Sequence, residues 1–326
     1  MLNTLKSYFQ SSPTSDPHST SETYTGKIAI HPLTERPTKA WEKIKVKQVV
    51  NSVQPMDSDT EITEDKVRFV LLSDTHCQIE KLPTEFVPPA DVLIHAGDFT
   101  KVGLPASIEK FDSYLGSLPH KRKIVIAGNH DLTLDMDMVN NRRSHLLNSF
   151  QISRDKFEDY LQEKQLPSSR ELLKNCIYLQ DSSITVCGIK IYGSPWQPEF
   201  GDWGFNLPRG IPCLQKWDQI PDETDILVTH GPPIGHGDLC VSGQRAGCVE
   251  LLTTIQTRVK PKYHLYGHIH EAYGITTDGH TTFINGSNCT LRYKPQNKPV
   301  VFDFPIPEGH SKEELNELPV NNIDSL

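Results

Sequence analysis

The sequence predicts an α/β sandwich, and three observations carry that expectation. Short apolar runs recur at residues 67–73 (VRFVLLS), 91–95 (DVLIH), 123–127 (KIVIA), 225–229 (DILVT) and 264–266. These runs are too continuously apolar for strands with one wet face, so they read as strands of a sheet covered on both sides. Helical apolar periodicity falls between them, at 107–118, 155–165 and 248–259, giving the alternation expected of α/β folds. Finally, each run ends in polar or glycine-containing residues, and α/β sheets gather their chemistry beyond the carboxyl ends of their strands.

The remaining elements follow in order. Residues 1–25 are rich in Ser, Thr and Pro without periodic apolar positions, so they are expected to be a disordered tail. Residues 26–66 are expected as an extension packed on the domain. Within them Lys43, Ile44, Lys45, Val46 and Lys47 alternate basic and apolar, which reads as a solvated edge strand whose lysines discourage pairing, in preference to a nucleic-acid patch. Strand-like segments around Asp181–Ser182 and Cys187–Gly188 imply antiparallel hairpins between residues 175 and 192. A similar turn is expected at Asp278 and Gly279. The last strand is placed at 300–304, which bounds the main domain at 67–305, with 306–326 as a polar tail. No internal repeat is visible.

With 326 residues the chain can build one large domain or two small ones. Its 33 basic and 41 acidic residues leave a net charge of −8, so no global positive field exists for extended nucleic-acid binding. Seven cysteines (Cys77, Cys176, Cys187, Cys213, Cys240, Cys248, Cys289) are odd in number and widely spaced, without a C-x-x-C pair. They read as reduced thiols. No signal-peptide core and no run of ~18 apolar residues occurs, so a cytoplasmic protein that does not enter membranes is expected. What stands out is 14 histidines, because imidazole both titrates near neutrality and ligates metals.

The histidines concentrate where the apolar runs end. The first run leads into Asp74-Thr75-His76, the second into Gly97-Asp98 and the third into Gly128-Asn129-His130-Asp131. The 225–229 run leads into His230-Gly231, and the 264–266 run into Gly267-His268-Ile269-His270. Asp74, His76, Asp98, Asn129, His230, His268 and His270 supply seven nitrogen or oxygen donors, too many for one tetrahedral ion and suited to two ions sharing a carboxylate. The x-spaced pairs project to one side of an extended backbone.

These five blocks, in this order, resemble the signature of the calcineurin-like metallophosphoesterase superfamily. Within it the chain is most similar to the metallophosphoesterase-domain-containing (MPPED, fetal-brain 239) proteins of animals. That likeness runs through Gly193-Ser194-Pro195-Trp196-Gln197-Pro198, then residues 203–210 (WGFNLPRG), then Val228-Thr229-His230-Gly231-Pro232-Pro233, and it covers roughly 67–305. It implies a metallophosphoesterase β-sandwich flanked by helices, as a single catalytic domain. One mammalian member of the group has glycine at the first histidine of the Gly-His-x-His block; here His268 is present.

Carried over residue by residue, the resemblance implies that Asp74, His76, Asp98 and His270 hold one divalent metal. Asp98, Asn129, His230 and His268 would hold the second, with Asp98 as bridge. It implies Mn²⁺ first, with Fe, Zn or Mg as alternatives, and hydrolysis of phosphodiesters, cyclic nucleotides included, by a hydroxide shared between the metals. His130 would stand above the site as proton donor, with Asp131 as a candidate to orient it. A phosphomonoesterase acting on phosphoproteins or small molecules is the alternative within the class. Such enzymes follow Gly-Asp with an arginine, where this chain has Phe99, Thr100, Lys101 and Val102. A nucleotide-binding scaffold with little turnover is the alternative outside it.

Other residues carry two readings. His95 reads as a core or supporting residue in preference to a ligand, His264 as packing, and Cys77 as packing in preference to a thiol ligand. His236 reads as a loop residue in solvent or one approaching substrate. Arg245, in residues 242–248 (SGQRAGC), either reaches a phosphate or belongs to a plain loop before a helix. Trp196, Trp203 and Phe205 read as packing anchors in preference to walls of a nucleobase pocket.

Overall fold

The computed structural model describes residues 26–139 and 154–316; the expected tails at 1–25 and 317–326 lie outside the described residues. In chain order the elements are α1 (Pro37–Ile44), β1 (Asn51–Ser52), β2 (Lys66–Leu72), β3 (Val92–Ala96), α2 (Pro105–Ser117), β4 (Arg122–Ile126) and α3 (Arg154–Glu163). There follow β5 (Ile177–Tyr178), β6 (Ser182–Val186), β7 (Ile189–Ser194), β8 (Gln197–Pro198), β9 (Asn206–Leu207), α4 (Ile211–Trp217) and β10 (Ile226–Thr229). The chain continues through α5 (Val249–Thr254), β11 (Tyr263–Tyr266), β12 (Gly274–Thr277), β13 (Thr282–Asn285) and β14 (Val300–Pro305).

Two sheets face each other. One runs β14-β2-β3-β4-β5 and the other β1-β12-β13-β11-β10-β7-β6, with β8 and β9 as a small separate ribbon. Strands β2 to β5 are mutually parallel, as are β7, β10, β11 and β13. The predicted hairpins are present: β6 returns as β7 through Cys187 and Gly188, and β12 returns as β13 past Asp278 and Gly279.

The central strands are largely apolar because both of their faces are covered. Phe69 and Leu71 join Ile94, Val228 and Leu265 in the core between the sheets, whereas Val70 and Leu72 turn outward to Phe111 and Leu115 of α2. Fully burying one such side chain contributes about 1.5–3 kcal/mol, so polar substitution on either face is opposed. The other sheet is backed by α4 and α5 through Leu214, Trp217 and Leu251, with Trp41 of α1 in the same cluster.

Two expectations are corrected here. Residues 43–47 are not an edge strand: Lys43 and Ile44 end α1, and Lys45–Lys47 form a 3-10 turn. Pro37 opens that helix and its Ala40–Trp41 face is buried, whereas Val46 is 78% exposed. Burial of Trp41 sets the local structure here, and the basic-apolar alternation covers nothing. The segment after Pro305 is also not a solvated tail as far as it is described. Leu315 is fully buried and Lys312 pairs with Asp91 at 2.8 Å, so this segment closes one end of the inter-sheet core.

Candidate metal centre

The parallel strands of both sheets end at one place. Loops after β2, β3 and β4 deliver Asp74 and His76, Asp98, and Asn129 and His130; loops after β10 and β11 deliver His230, His268 and His270. The backbone there is bent beyond what ordinary residues adopt. Asp74, Asp98, His76 and His268 have φ of 53°, 57°, 44° and 68°, left-handed conformations that cost energy in non-glycine residues and are sustained only by surrounding structure. Gly97, at φ 94°, turns where a Cβ would sit 2.7 Å from both the Ala127 carbonyl and His230 Nδ1.

All seven predicted donors meet. Asp98 Oδ2 lies 3.4 Å from His230 Nε2 and 3.7 Å from His76 Nε2, and Asp74 Oδ1 lies 3.2 Å from His270 Nε2. Asn129 Oδ1 is 3.0 Å from His230 Nε2 and 2.8 Å from His268 Nδ1. Candidate ligand atoms of Asp74, His76 and His270 lie within 4.8 Å of one another, as do those of Asp74, Asp98 and His230, and of His76, Asp98 and His130.

The ring orientations are set from outside the centre. Nδ1 of His76, His230 and His270 donates to the carbonyls of Thr100, Ala96 and Thr290, at 3.2, 2.8 and 3.1 Å. A carbonyl only accepts, so in their neutral form these three imidazoles present Nε2 lone pairs inward, the arrangement found behind metal-bound histidines. His76 and His270 then bring two such nitrogens within 3.1 Å of each other. Neutral rings in these tautomers repel at that distance, and a shared cation or proton removes the conflict. Carboxylate, imidazole and amide oxygen together suit divalent ions of the Mn, Fe and Zn type.

The protein's own charges set the protonation of these rings. Burial holds the His268 imidazole down at about 3, with the His230 charge acting in the same direction. Burial opposes protonation of His230 too, but the Asp98 and Asp74 carboxylates outweigh it and raise that ring to about 9. The carboxylates draw positive charge to where Asp98 and His230 meet.

Asp131 does not orient His130. Its carboxylate accepts from the backbone N–H of Asp98, Thr100 and Gly128 at 2.9, 2.9 and 2.8 Å, and from Thr100 Oγ1 at 2.7 Å. It ties the Asp98 loop to the Asn129 loop, because four donors converge on it where His130 has turned away. His130 Nδ1 instead donates to the Lys101 carbonyl at 2.8 Å, and its Nε2 stands 4.0 Å from Asp98 Oδ2.

The supporting histidines are buried as expected, each touching a threonine beside a candidate ligand. His95 Nε2 meets Thr75 Oγ1 at 3.0 Å, and His264 Nε2 meets Thr229 Oγ1 at 2.8 Å. His236 is neither in solvent nor at the centre: its ring stacks on Phe283 at 3.8 Å and Nδ1 meets Thr276 Oγ1 at 2.8 Å. Arg245 is engaged by Asp238 and lies 4.5 Å over the Trp41 ring. Cys77 is half-buried, and all seven cysteines are free thiols.

Trp196 bonds Asp181 through Nε1 at 2.8 Å and meets the fully buried Phe205 edge-on. Those two are packing anchors. Trp203 is different, because its indole stacks on the His130 imidazole at 4.0 Å.

Sequence reasoning missed several contributors. Ser287 Oγ donates to Asp74 Oδ2 at 2.9 Å, and its signal was present as another polar strand end after β13. Tyr293 sets its ring edge-on to His76 at 4.7 Å, and Phe200 approaches His268 at 5.9 Å. The carbonyls that hold the imidazoles leave no signature in residue type.

Comparison with known proteins agrees with this geometry. Residues 67–272 match the calcineurin-like phosphoesterase family. The chain is 47% identical over 290 residues to human metallophosphoesterase domain-containing protein 1, covering 86% of each chain. A Caenorhabditis elegans protein of the UPF0046 group is 44% identical over 88% of this chain and 72% of its own. A 3',5'-cyclic-nucleotide phosphodiesterase of Nostoc is 24% identical over 64% of this chain and 66% of its own. No helix among the described residues is long and apolar enough to cross a membrane. With its mixed sheets flanked by helices and its donors gathered at their carboxyl edges, the chain belongs to the calcineurin-like metallophosphoesterase family.

Proposed function

We propose that this protein is a phosphodiesterase dependent on two divalent metals, acting on small diesters with cyclic nucleotides among them. The observation that carries the reading is the convergence of inward-turned Nε2 atoms on the two carboxylates of Asp74 and Asp98. Asp74, His76, Asp98 and His270 would hold one ion, and Asp98, Asn129, His230 and His268 the other. The chemistry such a pair supplies when bound, Mn²⁺ or another divalent ion, is polarisation of phosphoryl oxygens and acidification of attacking water.

The chain's own residues do the rest. Asp98 places Oδ2 among three imidazoles while Oδ1 accepts the His130 N–H at 2.7 Å, so one side chain fixes both the centre and the backbone of the candidate acid. His130, turned by the Lys101 carbonyl, presents Nε2 on the side of Asp98, and as the imidazolium, with Nδ1 still bonded to that carbonyl, it would hand the Nε2 proton to the leaving oxygen and become the neutral ring. Diester preference rests on the absence of an arginine after Asp98. Phe99 in that place is fully buried and stacks on Phe111 at 4.3 Å, leaving no fork there to grip a monoester dianion. The activity for which the Nostoc relative is named supports the same substrate class.

The test is turnover of a panel of phosphodiesters and monoesters by enzyme reconstituted with Mn²⁺, Fe²⁺, Zn²⁺ or Mg²⁺. Diester hydrolysis that falls by orders of magnitude in Asp98→Ala and His268→Ala is expected. Preference for monoesters would replace the diester reading, rates unchanged by either substitution would sink the mechanism, and inactivity with every metal would favour a binding scaffold.

A further inference from the structure

The ribbon β8–β9 and its connection lie against the loop that carries Asn129 and His130. Gly204 N donates to the Asn129 carbonyl at 3.0 Å, and Phe205 N donates to the Asp135 carboxylate at 2.7 Å. The approach is close enough that a Cβ on Gly204 would sit 3.1 Å from that carbonyl. Between these two ties and Phe200 sits Trp203, packed with Leu132 and Met138 beneath the loop.

Its indole lies over the His130 ring, with centroids 4.0 Å apart and planes 28° from parallel. His130 has few other restraints. Its Nδ1 bonds the Lys101 carbonyl, and the rings of His76 and Tyr293 meet it edge-on at 4.7 and 6.2 Å. A single hydrogen bond at one ring edge fixes a direction and leaves the tilt of the plane free. An aromatic face stacked at van der Waals distance removes that freedom.

We propose that Trp203 is a positioning residue, whose indole holds the His130 imidazole at the tilt that keeps Nε2 facing the Asp98 side of the centre. The inference rests on His130 acting as proton donor in the function proposed above. It assigns Trp203 no contact with substrate and no role in holding metal.

The chemistry provides a readout that simple loss of fold does not move. A general acid matters when the leaving oxygen is a poor leaving group, and contributes little when that oxygen departs readily as an anion. An adenosine cyclic phosphate loses an alkoxide and needs the proton; bis-p-nitrophenyl phosphate loses a stabilised phenolate. Both would be assayed with Mn²⁺-loaded wild type, Trp203→Ala, Trp203→Phe, His130→Ala and the Trp203→Ala/His130→Ala double variant.

Trp203→Ala is expected to lower kcat on the cyclic phosphate about 10- to 100-fold, a part of the ~10²- to 10⁴-fold that a general acid supplies, with KM and the nitrophenyl rate little changed. Trp203→Phe should recover most of the loss, and Trp203→Ala should cost nothing further once His130 is alanine. Equal losses on both esters, or additive losses in the double variant, would overturn the proposal in favour of loop stability alone. A raised KM with kcat unchanged would overturn it in favour of a substrate wall. If His130→Ala keeps full activity on the cyclic phosphate, the donor assignment falls and takes this inference with it. Wild type inactive on both diesters would instead remove the phosphodiesterase reading itself.

Discussion

The Nε2 atoms of His76 and His270 face each other at 3.1 Å while the Nδ1–H of each ring donates to a backbone carbonyl. In the neutral ring each Nε2 is thus an acceptor, and two acceptors at that distance repel unless a metal or a proton lies between them; burial opposes a proton on His270, but the Asp74 carboxylate outweighs it.

That conflict predicts a protein stabilised by its metal. Chelated protein should unfold at a lower temperature than the same protein with Mn²⁺, and free metal at about a thousand times its Kd would add about 4 kcal/mol. Calorimetry or dye-monitored melting across a Mn²⁺ series checks this; a midpoint that ignores both chelator and metal would contradict it. His270→Ala removes a ligand and should weaken the metal response, and because buried Asp74 loses its partner at 3.2 Å the chelated melting temperature should fall as well.

Gly267 is a second sharp case. A Cβ there would lie 1.9 Å from Asp74 Oδ2 and 2.1 Å from Ser73 Oγ, both buried. Gly267→Ala should therefore cost about 3 kcal/mol, in the range of severe steric substitutions, and displace Asp74. Urea unfolding together with metal content by elemental analysis measures both effects; Gly279→Ala, with nothing within 4 Å of its Cβ, should leave metal content intact.

His236 makes stability depend on pH. Burial holds its ring down at about 4, assisted by Arg245 and opposed by Asp278, against an ordinary value of about 6.5 in the unfolded chain. Between those values only the unfolded chain takes up the proton. Its contribution is constant above pH ~6.5 and is lost as pH falls toward ~4, about 3 kcal/mol in all. His236→Phe keeps a ring on Phe283 and cannot titrate, so the drop in unfolding free energy between pH 7 and 4.5 should be smaller than in wild type. Equal drops in the two proteins would refute the assignment.

Trp41 ties residues 26–47 to the loop after His230. Its ring occupies the place where a Cβ of Gly235 would stand, 2.1 Å away, and Arg245 lies over it. Nearby, Thr34 Oγ1 donates to Glu250 at 2.9 Å and Arg245 N to Thr38 Oγ1 at 3.0 Å. Trp41→Ala should cost about 3–5 kcal/mol, measured by urea unfolding. A loss under about 1 kcal/mol, the scale of an ordinary surface change, would mean that this segment only lies on the surface.

Residue type and spacing determined much of this protein. Apolar runs marked the central strands because burial on both faces disfavours polar residues, and the polar clusters ending five of them hold the seven candidate donors that the fold brings together. Alternation misled at Lys43–Lys47, where a two-residue period is too short to compete with burial of Trp41. What only the tertiary structure decided is how the donors are aimed. That Asp131 staples two loops while Lys101 turns His130, that carbonyls of Thr100, Ala96 and Thr290 push lone pairs inward, and that Trp203 covers His130 all depend on contacts between distant segments. A backbone carbonyl is the same in every residue, and a stacking partner is defined by where a loop lies, so neither is written in the local sequence.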